Sequence, residues 1–421
     1  MKHPFQNIVV DTKTQLVFAA VDNGIRVFSL PEGKLVGQWI DDVVSEADIK
    51  KRQKEQKDAL KKARKEELVA KALENGVVLH QPSKKIKPSF EHSTHNYIRS
   101  LQLDGHGKYL VATTDTDKSV VVFSVDATNS ENCLTVVKRQ PFPKRPCSID
   151  IDRDSANVVV ADKFGDVYTM PLANSTEVLE EKSLLPILGH VSMLTDVAVT
   201  TNATNDRQYI LTADRDEHIR VSNYPKSYVV KHWLFGHHEF VSCLNIDGEQ
   251  LVSGGGDDYI CLWNWYENKL LAQADIRQHV DKYLTAFHDT PERWATEESK
   301  REISVSKILR LRTNLIAVLV ENVKCLLVFE IKDGNSLVHK QTLELSHEFV
   351  DVAKVNEDLL LGSNNDTTDE GQLFSYVSVA EDGTFSVDVS RKLDVESITV
   401  ASSEDMCPLW YVNTLRKRSE H

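Results

Sequence analysis

The stretch "ILTADRDEHIRVSNY" (210–224) sets Asp214, Arg215, Asp216, Glu217, His218 and Arg220 between two apolar runs. Carboxylate, imidazole and guanidinium groups this close together could support acid–base catalysis, metal ligation, a charged turn or docking by ion pairs. The other markers of catalysis do not accompany them. No G-x-G-x-x-G opens a helix, and neither G-x-S-x-G nor H-E-x-x-H occurs. Gly254-Gly255-Gly256 leads into a strand-like run, so it reads as a turn rather than a phosphate cradle. The pair Asp257-Asp258 falls in the same turn. Cys133, Cys147, Cys243, Cys261, Cys325 and Cys407 are scattered with no CxxC spacing, which suits reduced thiols rather than a metal site. No catalytic, cofactor-binding or metal-binding residues are expected in this chain.

The elements that carry the cluster repeat along the sequence. An apolar strand, a tight polar turn and a second apolar strand recur in "LVFAAVDNGIRVFSL" (16–30), "YLVATTDTDKSVVVFSV" (109–125), "NVVVADKFGDVYTM" (157–170), "YILTADRDEHIRVSNY" (209–224) and "QLVSGGGDDYICLWNW" (250–265). Looser versions occupy 315–331 and 359–379. From the turn at Asp117 the spacings to the next turns are 47, 52, 41, 66 and 46 residues. Val- and Ile-rich hairpins at a period of about 40–45 residues are the mark of four-stranded propeller blades. Seven hairpins predict an all-β, seven-bladed WD40-type propeller. Ring closure is expected from "NIVV" (7–10) pairing with the strand near "TFSVDVS" (384–390).

Two blades carry the WD-repeat pattern in detail. In 234–265, His237, Ser253, Asp257 and Trp263 are spaced to form a hydrogen-bonded tetrad joining the strands. In the preceding blade His190, Thr212 and Asp216 match, with Ser222 where the Trp would stand. His190 and His237 are therefore read as tetrad members, not as bases or ligands.

The rest of the chain bounds the function. A net charge of −13 argues against nucleic acid as a sole ligand. The opening residues hold no apolar run of signal-peptide or membrane-span length, so an intracellular protein is expected. Residues 45–75 carry ten Lys/Arg and seven Asp/Glu without Gly, Pro or aromatics, an insertion that reads as partly helical or disordered. The expected organisation is 1–44 first blade and ring closure, 45–92 charged insertion, 93–406 remaining blades and 407–421 C-terminal tail. Residues 276–303 read as a charged, exposed inter-blade loop, and the tail as packed at first and then frayed and basic.

Longer runs go beyond blade consensus: "KRPCSIDI" (144–151), "ADKFGDVY" (161–168), "PILGHVSMLTDV" (186–197), "DRDEHIRVS" (214–222) and "WLFGHHEFVS" (233–242), with "HPFQN" (3–7) and "LWYVNTLRK" (409–417). In these the chain resembles the non-catalytic WD-repeat subunit of the tRNA (guanine-N7-)-methyltransferase over nearly its whole length. The resemblance implies a nuclear heterodimer in which a catalytic subunit binds S-adenosylmethionine and methylates N7 of guanosine 46 of tRNA. This chain would bind that subunit and hold it active, meeting tRNA mainly through the complex and no membrane. The family's basic docking residue in the "DRDEHI(K/R)" motif falls on Arg220, with Arg215, Glu217 and His218 as further partner-face candidates and Lys163 on the neighbouring blade. On that reading Arg220→Glu should abolish docking and leave the propeller's melting nearly unchanged. Lys84, Lys85, Lys87 and Arg416 to Arg418 are candidates for weaker direct tRNA contact. A WD-repeat scaffold of another nuclear complex, or an enzyme built in the propeller channel, are the rival readings.

Overall fold

Several runs, Leu16–Val21, Leu315–Val320 and Leu359–Asn364 among them, are buried at every position instead of every second one. Unbroken burial requires a sheet covered on both faces, and stacking sheets around an axis supplies that cover. The computed structural model describes residues 1–43, 96–391, 393, 395 and 406–418. Two compact units are distinguished, 41–96 and the remainder. In the first, the Asn96 amide donates to the Asp41 carboxylate at 2.7 Å. The charged insertion over 45–75, expected to be partly helical or disordered, and Lys84, Lys85 and Lys87 lie outside the described residues. No helix among the described residues is long and apolar enough to cross a membrane.

The second unit is a seven-bladed propeller of four-stranded antiparallel sheets. The blades span 7–40, 98–141, 146–189, 194–234, 241–275, 305–344 and 349–387. Each of the seven hairpins read from the sequence forms the middle two strands of one blade. The apolar core is correspondingly divided, with a separate cluster in each seam between neighbouring blades.

Ring closure differs from the expectation. Asn7–Asp11 pairs with Leu16–Val21 inside blade 1, in register from Asn7↔Ala20 to Asp11↔Leu16. Blade 7 takes its fourth strand, Phe385–Val387, from its own sequence, so residues 7–10 are not the strand that completes it. The seam between blades 7 and 1 is closed by side chains instead. Phe5 stacks on Phe374 at 5.1 Å with Phe28 edge-on at 5.8 Å, and the Ser363 hydroxyl donates to the Phe5 carbonyl at 2.6 Å.

Polar side chains of the innermost strands then link blade to blade around the whole axis. The Leu101 amide donates to Asn7 Oδ1 (2.9 Å), and Gln102 Nε2 donates to Asp150 Oδ1 (3.0 Å). The Val199 amide donates to Asp150 Oδ2 (2.7 Å), and the Leu244 amide to Asp196 Oδ2 (2.8 Å). Asn245 Nδ2 reaches the Ile308 carbonyl (3.1 Å), and Lys307 Nζ reaches Asp351 Oδ1 (2.8 Å). The Ile8 amide donates to Asp351 Oδ2 at 2.8 Å, completing the circuit. A buried amide without a partner costs about 1–3 kcal/mol, so each link holds a seam that apolar packing alone would let slide.

The inter-blade segment 276–303 is less exposed than its charge suggested. Arg277–Val280 forms one helical turn, followed by 3₁₀ turns at Asp281–Tyr283 and Ala286–His288. Val280, Leu284, His288 and Ile303 are buried, which pins the segment against the ring, and the unbroken exposed run is 291–301.

Asp351→Ala should lower thermal stability by several degrees by stranding the Ile8 amide, whereas Asp358→Ala, which removes a surface partner of Arg312, should shift it little. Thermal unfolding of the two variants side by side checks this. The girdle also carries a pH signature. Burial pushes the Asp150 carboxyl up to about 7 and the Asp196 carboxyl up to about 6, against the hydrogen bonds they accept. Since the unfolded groups ionise near pH 4, their stabilising contribution is full below that pH and is lost as pH rises toward 6–7. The decline in melting temperature between pH 4 and 7 should be shallower in Asp150→Asn than in the natural chain, whatever the variant's absolute stability.

Candidate docking face

The charged turn at 215–218 is built by the aspartate that precedes it. Asp214 ends the strand Arg207–Asp214, and its Oδ1 accepts the amides of Asp216 (2.8 Å) and His218 (3.0 Å). Glu217 takes a positive φ of 69° to complete the reversal. Blade 3 repeats the device: Asp162 Oδ1 accepts the amides of Phe164 (2.7 Å) and Asp166 (3.1 Å). Gly165 there has a φ of 103°, and a Cβ would lie 2.5 Å from the His190 carbonyl, so only glycine fits. These turns lie against the loops that lead into the next blade. The His190 amide donates to the Gly165 carbonyl at 2.8 Å, and the Arg215 amide to the Met193 carbonyl at 2.9 Å. Turns and loops together form one end of the propeller.

On this end Phe164 and Phe235 stand 58% and 68% exposed, and Val191 is fully exposed. Lys144 and Lys163 place their ammonium groups 4.3 and 5.7 Å from the Phe164 ring. His218 is half-buried, edge-on to Trp233 and Phe235 at 5.6 and 5.9 Å, and Glu217 projects into solvent. Lys163, Glu217 and His218 all lie on this end of the propeller. Phe164, Val191 and Phe235 were missed, although apolar residues inside otherwise polar turns were a visible signal.

The tetrad of blade 5 forms as its spacing predicts. His237 bonds Asp257 and Ser253, each at 2.7 Å, and Trp263 Nε1 donates to Ser253 Oγ at 2.9 Å. Blade 4 departs from it. His190 bonds Thr212 at 2.7 Å, but its second ring nitrogen meets Asp214 Oδ2 at 2.9 Å, not Asp216. Asp214 both caps the turn and faces inward, which frees Asp216 to accept from Ser192 Oγ (2.6 Å) and pair with Lys417 (2.7 Å). Arg215 is half-buried and donates from Nε to the Leu415 carbonyl at 2.6 Å. Arg215, expected on the partner face, and Asp216, expected in the tetrad, therefore both hold the chain's own C-terminal segment.

Arg220 is the larger correction. The strand Ile219–Tyr224 lies between two blades and its first four residues are buried, leaving Arg220 only 8% exposed. Its Nε donates to Ser222 Oγ (3.0 Å), in the place a tetrad Trp would occupy; Nη1 donates to the Gly189 carbonyl of blade 3 (2.9 Å) and Nη2 to the Ser227 carbonyl (3.4 Å). The guanidinium also lies 5.7 Å from the Trp233 ring. Every one of these partners is uncharged, and no carboxylate of the described residues pairs with it. Burial lowers its pKa with no anion to oppose the effect.

The described residues contain no group of three or more His, Cys, Asp and Glu disposed to hold a metal ion. All six cysteines are free, five buried and Cys147 half-buried.

Known proteins place this face in context. Residues 17–186 and 180–374 match the family model described as the tRNA methyltransferase TRM82 WD40 domain. Proteins named tRNA (guanine-N(7)-)-methyltransferase non-catalytic subunit TRM82 are similar over the full chain. That of Debaryomyces hansenii is 44% identical, covering 100% of both chains; that of Saccharomyces cerevisiae is 33% identical, covering 100% of this chain and 99% of its own. Among solved structures, U3-55K aligns with a TM-score of 0.57 at 16% identity over 86% of this chain and 89% of that one. The C-terminal WD40 domain of Sif2 aligns with a TM-score of 0.53 at 11% identity, over 90% of this chain and 97% of that one. These two show the fold alone.

Arg220→Leu should destabilise the isolated chain by about 2–4 kcal/mol, because the Gly189 and Ser227 carbonyls lose their donors. Arg220→Glu should cost more, since it buries a carboxylate against the same oxygens. Denaturant unfolding measures both; an unchanged midpoint for either would place the guanidinium in solvent.

Proposed function

Because the chain belongs to the TRM82 family of WD40 subunits, the non-catalytic subunits of tRNA (guanine-N7)-methyltransferase, we propose that it docks on the catalytic subunit through the end bearing Phe164, Val191 and Phe235. The observation that carries the reading is the buried Arg220 guanidinium with no carboxylate of the described residues beside it. A buried charge that lacks a counter-ion is costly, and an acidic side chain of the partner reaching the seam between blades 3 and 4 would offset that cost. The exposed rings and Val191 supply apolar area around that contact, and Lys144 and Lys163 add positive charge at its edge.

In this proposal the two chains form a nuclear heterodimer. The catalytic subunit holds S-adenosylmethionine and transfers the methyl group to N7 of guanosine 46 of tRNA. Binding favours the folded, active arrangement of that subunit because only that arrangement fits the propeller end. tRNA is met mainly through the complex. The tail cations Arg416, Lys417 and Arg418 are engaged by Glu239, Glu302 and Asp216 within the chain, which supports that division of labour.

The test is guanosine-N7 methylation of tRNA by the catalytic subunit with and without this chain, repeated with Phe235→Ser. Phe235 is exposed, so the variant should melt like the natural chain yet weaken subunit affinity about tenfold, the 1.4 kcal/mol expected of an interface anchor. Methylation should fall in parallel at limiting subunit. Full activity without the chain would return the function to a WD scaffold of a different complex.

A further inference from the structure

The C-terminal residues 406–418 do not trail away from the propeller. They begin beside the N-terminal segment, where the Cys407 carbonyl contacts His3 Nε2 at 3.1 Å, and they cross the end described above from one side of the ring to the other. Trp410 approaches Arg99 of blade 2. The amides of Val412 and Asn413 are both taken by the buried Glu321 carboxylate of blade 6, the latter at 2.9 Å. Val412 and Leu415 are buried with Phe240 of the loop into blade 5, with Met193 packed beside them. Arg416 then donates from Nη2 to the Gly256 and Ile303 carbonyls, both at 2.8 Å, and pairs with Glu239 at 3.1 Å. The segment is a strap whose contacts are spread over blades far apart in sequence.

Two of its anchors belong to the docking turn itself. Arg215 holds the Leu415 carbonyl, and Asp216 holds Lys417. The residues that follow directly, Glu217, His218 and Arg220, are those that face the partner or reach the seam beneath it. The turn is thus fixed at one side by its own Asp214 and at the other by the strap.

We propose that the C-terminal strap holds the docking end in the arrangement that the catalytic subunit binds, so that loosening the strap weakens the complex although no strap residue need touch the partner. The inference rests on the docking reading above. A released strap would free Arg215 and Asp216, let the 215–218 turn sample other conformations, and reduce the binding-competent fraction; apparent affinity falls in proportion to that fraction. Strap detachment is a local opening, separable from unfolding of the blades, because its bonds lie outside the sheets.

The experiment uses the full-length chain carrying Arg416→Ala, and separately Leu415→Ser, which loosens the same segment through packing rather than charge. Two quantities are read for each: amide hydrogen exchange at Val412 and Asn413, and affinity for the catalytic subunit. Both variants should raise exchange at these two amides by tenfold or more and weaken affinity by about tenfold, with exchange in the blade strands unchanged. Faster exchange with unaltered affinity would overturn the proposal. Unaltered exchange would overturn it as well, since these contacts would then not be what holds the strap. Phe235→Ser in the same assay separates the two readings: if it too leaves affinity intact, the docking face is misplaced, whereas weakened binding by Phe235→Ser alone removes only the strap.

Discussion

A propeller must join its last blade to its first, and in this chain the join contains no shared strand. The constraint is met at the axis. Asn7, Gln102, Asp150, Asp196, Asn245, Lys307 and Asp351 each carry a hydrogen bond from one innermost strand to the next, and Asp351 returns the series to Ile8. Apolar seams alone specify contact but little register, since one β-branched side chain can slide past another. Directional bonds to buried amides set the height of each blade relative to its neighbour. The end surface exists as a surface because the blades that contribute to it are held level.

The "DRDEHIR" run shows how one short segment serves several ends at once. Asp214 caps its own turn and receives His190. Arg215 and Asp216 bind the C-terminal strap. Glu217 supplies the left-handed residue, His218 faces two aromatic edges, and Arg220 crosses to blade 3. A reading by residue type assigns all of these to one site because charge is the property they share. The fold separates them by direction: alternate residues leave the strand or turn on opposite sides, and only some reach solvent.

This explains what was legible in the sequence. Hairpin spacing disclosed the blade number, because each blade must bury both faces of its middle strands and so writes an apolar run into every repeat. The blade 5 tetrad was legible for the same reason, its four side chains standing at fixed places on consecutive strands. The blade 4 tetrad was misread by two residues, since Asp214 and Asp216 differ only in which one the turn directs inward. Burial of Arg220 was hidden by its charge, although its position two residues before Ser222 on a strand covered on both faces pointed inward. Ring closure was expected from strand exchange because a ring removes exposed sheet edges; the first strand instead pairs at once with Leu16–Val21. The strap has no periodicity and announced itself only by its apolar residues.

The absence of a shared strand at the seam bears on how the molecule is made. Blade 1 contains all four of its strands within residues 7–40, so its internal hydrogen bonding is complete once that segment has left the ribosome. A ring sealed by strand exchange would have to keep its first strand unpaired until the last blade was synthesised, exposing an edge open to wrong pairing throughout translation. Here each blade can be laid down whole against its predecessor, and the ring closes by the meeting of two finished faces, Phe5 and Phe28 against Phe374.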